Sequence, residues 1–316
     1  MLQTAPTAFC TIVTASHLDY ALALCLSLRQ FETEAPFFVL LTDEPAEKEE
    51  LWSQFPQVYL LRLADLAPLA QATAIIEKYR ETPDFMRWSL KSVLMLYLLE
   101  KQAFDEVVFL DCDLCFYQSI DPIKEQLSAA GILLSPHWRC QDPAIDSENF
   151  KLNFTDGMYN GGFLGATQAG IPALKWWRNA CLYRCERTRE EGLYVDQKFL
   201  DLLPAQFPST RINHHRGCNV ANWNLSENRR TQNAQGEILI LDKWPIIFIH
   251  YSASTVRGIL KGKDPLLSDH LDQWKTLLDQ AADILGRNKR NFNAAGPQAS
   301  LPKRILNKLG IKANSK

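Results

Sequence analysis

The chain has 316 residues, 47% of them hydrophobic and 22% charged, with a formal net charge of -2. Those figures exclude a disordered chain and give no ground for nucleic acid as a general partner. They leave room for one large α/β domain or two ordinary ones.

In chain order, residues 8–14 (AFCTIVT) form a β-rich run, followed by a helix-like stretch through Phe31. Within it, residues 20–28 (YALALCLSL) are apolar but far short of the roughly 20 residues a membrane helix needs. His17 and Asp19 precede them where a signal peptide would carry positive charge. The run therefore reads as a buried helix, and the protein as cytoplasmic. Residues 37–42 are a second strand, 44–55 a helix and 58–63 a third strand. Residues 83–100 repeat Phe85, Trp88, Leu90, Leu94 and Leu98 near helical spacing, so one long helix is predicted there. Residues 106–110 (EVVFL) are a buried strand running into Asp111-Cys112-Asp113.

Residues 158–166 (MYNGGFLGA) read as a glycine-rich turn feeding a strand, 172–191 as a long helix holding Trp176 and Trp177, and 193–203 as another. Residues 216–225 are a polar, aromatic loop; 238–241 and 246–250 are short strands; 264–285 is an amphipathic helix. Alternation of strands with long helices predicts a mainly parallel mixed sheet flanked by helices, in one domain over residues 1–285. Residues 286–316 carry eight basic and no acidic residues. Within this basic tail, 286–300 read as a linker and 301–312 as a short basic amphipathic segment suited to an anionic membrane surface. A disordered tail is the plainer alternative.

Eight cysteines in a chain of this size do not make a disulfide scaffold. Cys112 and Cys115 form a CxxC without the second pair that a structural zinc site requires, so buried thiols are expected.

The chemistry concentrates at strand ends, where α/β sheets bind ligands. In extended backbone, Asp111 and Asp113 would point to one side about 6.6 Å apart along the strand, and could share a hard cation such as Mg²⁺ or Mn²⁺. A strand-end turn holding backbone hydrogen bonds is the alternative. His250 follows the apolar run IIFI and so faces the same rim. Arg87 and Lys91 lie one turn apart on a helix face, which is either a donor contact or a solvated surface. In GCNVANWNL, Asn219, Asn222, Trp223 and Asn224 are the amides and indole that bind sugars, or else a buried polar turn.

VVFLDCDLCFY, MYNGGFLGA, YVDQKFLDLLP and IFIHYS occur in the order found in nucleotide-diphospho-sugar transferases with the GT-A (Rossmann-like) fold. Over residues 8–260 the chain resembles glycosyltransferase family 8 and its bacterial relatives. The resemblance implies a metal-dependent enzyme moving a sugar, with retention, from a UDP-sugar to a glycan or lipid-linked acceptor. By residue, it implies that Thr11, Ala15, Ser16 and Tyr20 meet the nucleoside, and that Asp111, Asp113 and His250 hold the metal. Asn160, Gly161 and Gly162 would lie beside the sugar, Asp196 and Gln197 near the reacting carbon. On their own chemistry, and not by the family match, Asn219, Trp223 and Asn224 are added as sugar-site candidates and Lys91 as a donor contact.

After the histidine the family pattern is His-x-x-Gly-x-x-Lys-Pro-Trp, whereas here Ala253 replaces the glycine and the Lys-Pro-Trp is absent. Arg257, Lys261 and Lys263 are left as candidates for the diphosphate-binding cation. Three other readings compete. A haloacid-dehalogenase-type phosphatase would carry its DxD on the first strand, and a nucleotidyltransferase a basic glycine-rich loop that ASHLDY lacks. A non-catalytic sugar-nucleotide-binding protein would not need both aspartates.

Overall fold

The computed structural model describes residues 7–43, 52 and 54–293. All but residues 52, 54 and 55 of the expected helix at 44–55, and the whole amphipathic segment at 301–312, lie outside the described residues. The first half contains β1 (Ala8–Val13), α1 (Leu18–Arg29), β2 (Phe37–Leu41), β3 (Val58–Arg62), α2 (Ala72–Lys78), α3 (Pro83–Ser89), α4 (Lys91–Glu100), β4 (Glu106–Leu110) and β5 (Leu114–Phe116). Then come α5 (Asp121–Ser128), β6 (Ile132–Pro136), α6 (Ser147–Thr155), β7 (Tyr159–Thr167), α7 (Ile171–Tyr183), β8 (Arg187–Thr188) and β9 (Leu193–Tyr194). The chain continues through α8 (Leu203–Gln206), β10 (Thr210–Ile212), β11 (Arg230–Gln232), β12 (Ile238–Ile240), β13 (Trp244–Pro245), β14 (Phe248–His250), α9 (Ala253–Leu260) and α10 (Ser268–Leu285).

Seven strands form the central sheet in the order β10-β6-β7-β4-β1-β2-β3. β7 runs antiparallel to both β4 and β6, and the other pairings are parallel. This is the mainly parallel mixed sheet expected from the sequence. Along β1, Phe9 and Val13 face one apolar cluster with α1 and α10, while Ala8, Cys10 and Ile12 face the other with α4 and α7. Alternating side chains thus feed a core on each face of the sheet.

Several expected elements change. The helix at 83–100 breaks at Leu90 into α3 and α4, so that Lys91 becomes the first residue of α4. Residues 193–203 are not one helix: β8 and β9 pair as a short hairpin, and a 3-10 helix spans Gln197–Leu202. The described cysteines are all free thiols, and seven of the eight are buried. No helix among the described residues is long and apolar enough to cross a membrane.

The expected linker does not begin at Gly286. Arg287 donates to the Ala15 carbonyl at 2.5 Å, Arg290 pairs with Asp19 at 2.6 and 2.8 Å, and Phe292 packs on Trp274. Residues 287–293 are therefore a strap bound across the β1–α1 connection.

Candidate active site

The DxD pair sits on a turn and not on an extended strand. Leu114 donates to the Asp111 carbonyl at 3.2 Å, so the chain reverses between β4 and β5, and Asp111 itself donates to Gly162 of β7 at 2.7 Å. This geometry turns both carboxylates toward one point by a route that strand alternation does not supply. β14 pairs with β5, setting His250 opposite Leu114, and Tyr251 donates to the Asp113 carbonyl at 2.8 Å. One ligand atom from each of Asp111, Asp113 and His250 then lies within 4.8 Å of the others.

The donor set is two carboxylates and an imidazole, a combination that could hold a divalent cation. His250 Nε2 lies 3.1 Å from Asp113 Oδ1, while its Nδ1 meets Asn219 Oδ1 at 3.2 Å. An Nδ1–H donated to Asn219 leaves Nε2 as the ligand atom, the usual second contact of a metal-bound histidine. Burial pushes His250 down, but the neighbouring Asp113 outweighs it and holds the imidazole above its ordinary value. Asp113 in turn is pushed up by burial and held below the carboxylate range by His250. A divalent cation bound between them would take the place of the proton that Asp113 favours on His250.

Gly162 makes the cradle possible: a Cβ there would meet His250 Cε1 at 2.6 Å, Asn160 Oδ1 at 2.7 Å and Asp111 Oδ2 at 2.8 Å. Asn160 uses both ends of its amide. Its Oδ1 accepts from Gly162 N at 2.8 Å and its Nδ2 lies 3.1 Å from His137 Nε2. Burial, with Arg139 nearby, holds His137 well below its usual value, so the neutral ring accepts from Asn160.

Lys91 is 3% exposed and reaches the Gly161 carbonyl at 2.8 Å, Asp111 at 3.2 Å and Asp196 at 3.3 Å. Burial would lower it, but the two carboxylates hold it above its normal range. Asp196 is pushed up by burial against the pull of Lys91. Gln197 contacts Gly161 N at 3.4 Å through Oε1 and the Asp156 carbonyl at 2.9 Å through Nε2. Asp196 and Gln197 thus flank Gly161 from one side, with Lys91 beneath.

A cavity of about 550 Å³ opens over this cluster, lined among others by Tyr20, Arg87, Lys91, Asp111, Asp113 and Arg257. Of the residues matched to the nucleoside loop, Tyr20 faces it. Thr11 lies mid-strand in β1, fully buried; Ala15 and Ser16 spend their carbonyls on Arg287 and Arg290 of the strap. Strap residues Asn291, Phe292 and Asn293 line the cavity as well. Nothing in the sequence Asn291-Phe292-Asn293 marks them. His137 was also missed, although it follows β6 as Asp111 follows β4, so the strand-end rule would have found it.

Asn219 and Asn224 are both fully buried: Asn224 donates to the Asn219 carbonyl at 2.8 Å and accepts from Ala221 N at 3.1 Å. Asn219 faces the His250 ring, Asn224 braces the loop behind it, and neither lines the two cavities. Trp223 does face outward, packing edge-on to His250 with centroids 5.1 Å apart and lining a second cavity. Arg257 lines both cavities, whereas Lys261 and Lys263 line only the second.

No family model matches the chain. It is 29% identical over 258 residues to the uncharacterized protein YfnF of Bacillus subtilis (strain 168), covering 80% of this chain and 83% of that one. The structure of the glycosyltransferase GlyE of Streptococcus pneumoniae TIGR4 matches with a TM-score of 0.50 at 14% identity, over 92% of this chain and 66% of that one. The bifunctional glycosyltransferase WbbM matches with a TM-score of 0.50 at 11% identity, over 92% of this chain and 53% of that one. With its mixed seven-stranded sheet and a DxD turn at the end of β4, the chain has the GT-A fold of nucleotide-sugar transferases.

Proposed function

We propose that the protein is a metal-dependent glycosyltransferase that moves a sugar from a UDP-sugar to a glycan or glycolipid acceptor, with retention. The observation that carries this reading is the convergence of Asp111, Asp113 and His250 beneath a cavity that also holds Lys91 and Arg257. A bound Mn²⁺ or Mg²⁺ would neutralise the diphosphate and act as a Lewis acid on the leaving group.

The chain's own residues supply the rest. Arg257, with no ion-pair partner among the described residues, is the cation best sited to meet charge on the leaving phosphate. Buried Lys91 fixes the rim carboxylate of Asp111 and the buried one of Asp196, and its burial makes these interactions stronger than in water. Tyr20 offers a ring to the nucleoside. Asn160, Gly161, Asp196 and Gln197 line neither cavity; packed with Lys91 and Gly162, they would brace the sugar from beneath. Their backbone and amide groups orient it and exclude water, which limits hydrolysis.

A panel of nucleotide sugars scored by nucleotide release, with Mn²⁺ and with chelator, tests the reading. Asp111→Asn and Asp113→Asn are each expected to abolish release while the fold survives, because both carboxylates sit at the rim. Full activity in chelator would sink the metal mechanism, and proton NMR of the product anomer decides retention. The basic segment at 301–312 supports weak docking on an anionic membrane leaflet, at about 1 kcal/mol per basic residue near such a surface.

A further inference from the structure

Lys261 and Lys263 are left without a task by the donor cavity. They line a second cavity of about 620 Å³ together with Asn149, Asn222, Trp223 and Arg257. The two cavities meet at Arg257, and the Trp223 ring stands 5.1 Å from the His250 ring. The second cavity therefore begins one aromatic ring away from the metal cluster.

Its charge is unbalanced. Arg257, Lys261 and Lys263 make no ion pair among the described residues. Two acidic residues also line it, and both are committed elsewhere. Asp264 is 4% exposed and pairs with Arg230 at 3.0 Å. Asp146 caps α6 by accepting from Asn149 N at 2.9 Å. The rest of the wall offers an indole for a pyranose face and the Asn222 Nδ2 for a hydroxyl; Asn149 spends its amide on Cys140 N and the Trp223 carbonyl, and Asn222 Oδ1 accepts from Ser254 and Thr255. Trp223 Nε1 is buried and has no hydrogen-bond partner in the protein.

We propose that this cavity is the acceptor site and that it selects an acidic acceptor, one carrying a phosphate or carboxylate on or beside the accepting sugar. The inference rests on the transferase reading and names the acceptor class. Trp223 stacks the accepting ring against the metal side of the site. Lys261 and Lys263 bind the anion at the outer end, and Arg257 stays with the donor phosphates. Cations left unpaired around a cavity repel one another, and a bound anion relieves that repulsion through charge-assisted hydrogen bonds.

The test uses the full-length protein saturated with UDP and Mg²⁺, so that the donor cavity and Arg257 are engaged. Glucose, glucose 6-phosphate and glucuronic acid are titrated in by calorimetry at low and high KCl. At least one charged sugar is expected to bind at least tenfold tighter than glucose, with the margin shrinking in salt. Which of the two does so separates a phosphate acceptor from a carboxylate one. The double variant Lys261→Ala/Lys263→Ala is expected to erase the margin while UDP affinity stays within twofold. Equal binding of all three sugars, or binding of none by a protein that takes UDP, overturns the inference and leaves the transferase standing. Parallel loss of UDP affinity in the double variant overturns it too, returning the lysines to the donor diphosphate. A wild-type protein that does not bind UDP with metal defeats the transferase reading, and the inference falls with it.

Discussion

Gly162→Ala isolates the metal cradle from the rest of the fold. The new methyl would stand 2.6 Å from His250 Cε1, 2.7 Å from Asn160 Oδ1 and 2.8 Å from Asp111 Oδ2. Comfortable contacts between carbons lie at about 3.5–4.0 Å, so these neighbours must retreat by the order of 0.7 Å or more. The backbone has little freedom to move instead. Gly162 N is bound to Asn160 Oδ1, and its carbonyl accepts from Asp111 N. Nor is the backbone left-handed there, so conformational strain does not confuse the result. Overpacking of this kind costs about 1–3 kcal/mol, which for a domain of this size lowers Tm by no more than about 10 °C. The effect on metal is larger, because ligand distances tolerate only about 0.2 Å. We expect Mn²⁺ affinity, measured by calorimetry, to fall at least 100-fold in a protein that still melts cooperatively. Gly161→Ala is the control: its methyl would meet Asp196 Oδ2 at 3.0 Å, Gln197 Cβ at 3.1 Å and the flexible end of Lys91 at 3.5 Å. It should leave metal binding within a few-fold of wild type. A folded Gly162→Ala protein with unchanged Mn²⁺ affinity would refute the assignment of the cluster.

Four further outcomes are expected. Gln197→Ala should lower kcat far more than it weakens UDP binding; an unchanged turnover number would return Gln197 to bracing the Asp156 carbonyl. Asn219→Ala removes the partner of His250 Nδ1 and should weaken Mn²⁺ binding about 10- to 100-fold, with Asn219→Asp restoring much of it. Arg290→Ala strands the 1%-exposed Asp19 carboxylate and should cost about 2 kcal/mol in denaturant melts, while raising the donor KM through the loosened strap. Deleting residues 301–316 should abolish co-sedimentation with anionic vesicles at low salt and spare UDP-sugar hydrolysis; absence of vesicle binding by the full chain removes the membrane role.

Local signals carried the sheet and the positions of its chemistry. Apolar runs ending in polar residues mark β4 and β14, and the same pattern places Asp111, Asp113 and His250 on one rim. The alternation argument for the DxD pair reached the right neighbours by the wrong geometry, because a turn at Leu114 and not an extended strand converges the carboxylates. The error matters physically. A strand would leave both aspartates free to take up a metal, whereas the turn ties Asp111 to β7 and Lys91 and sets Asp113 against His250. Polarity alone also failed in GCNVANWNL. An asparagine that binds a sugar and one that braces a loop have the same composition, and only the burial of Asn219 and Asn224 separates them from the outward-facing Trp223.

The strap is the deepest case of what a local reading misses. Asp19 lies in the first turn of α1, where an acidic residue needs no explanation beyond the helix dipole. Residues 286–300 have the polar, glycine- and proline-containing composition of a linker. Each segment satisfies its local rule, so neither predicts the other across 271 positions of chain. Yet a carboxylate buried as deeply as Asp19 needs a cation, and a linker containing Arg287, Lys289 and Arg290 can supply one. Had the helix been known to bury Asp19, the search for its partner would have led to the strap. The consequence reaches the site, because the ion pair that satisfies Asp19 also lays Arg290 over the Tyr20 ring and brings Asn291, Phe292 and Asn293 to the cavity wall. That end of the cavity is thereby built from the two ends of the described chain, and a change at either end should be felt by the other.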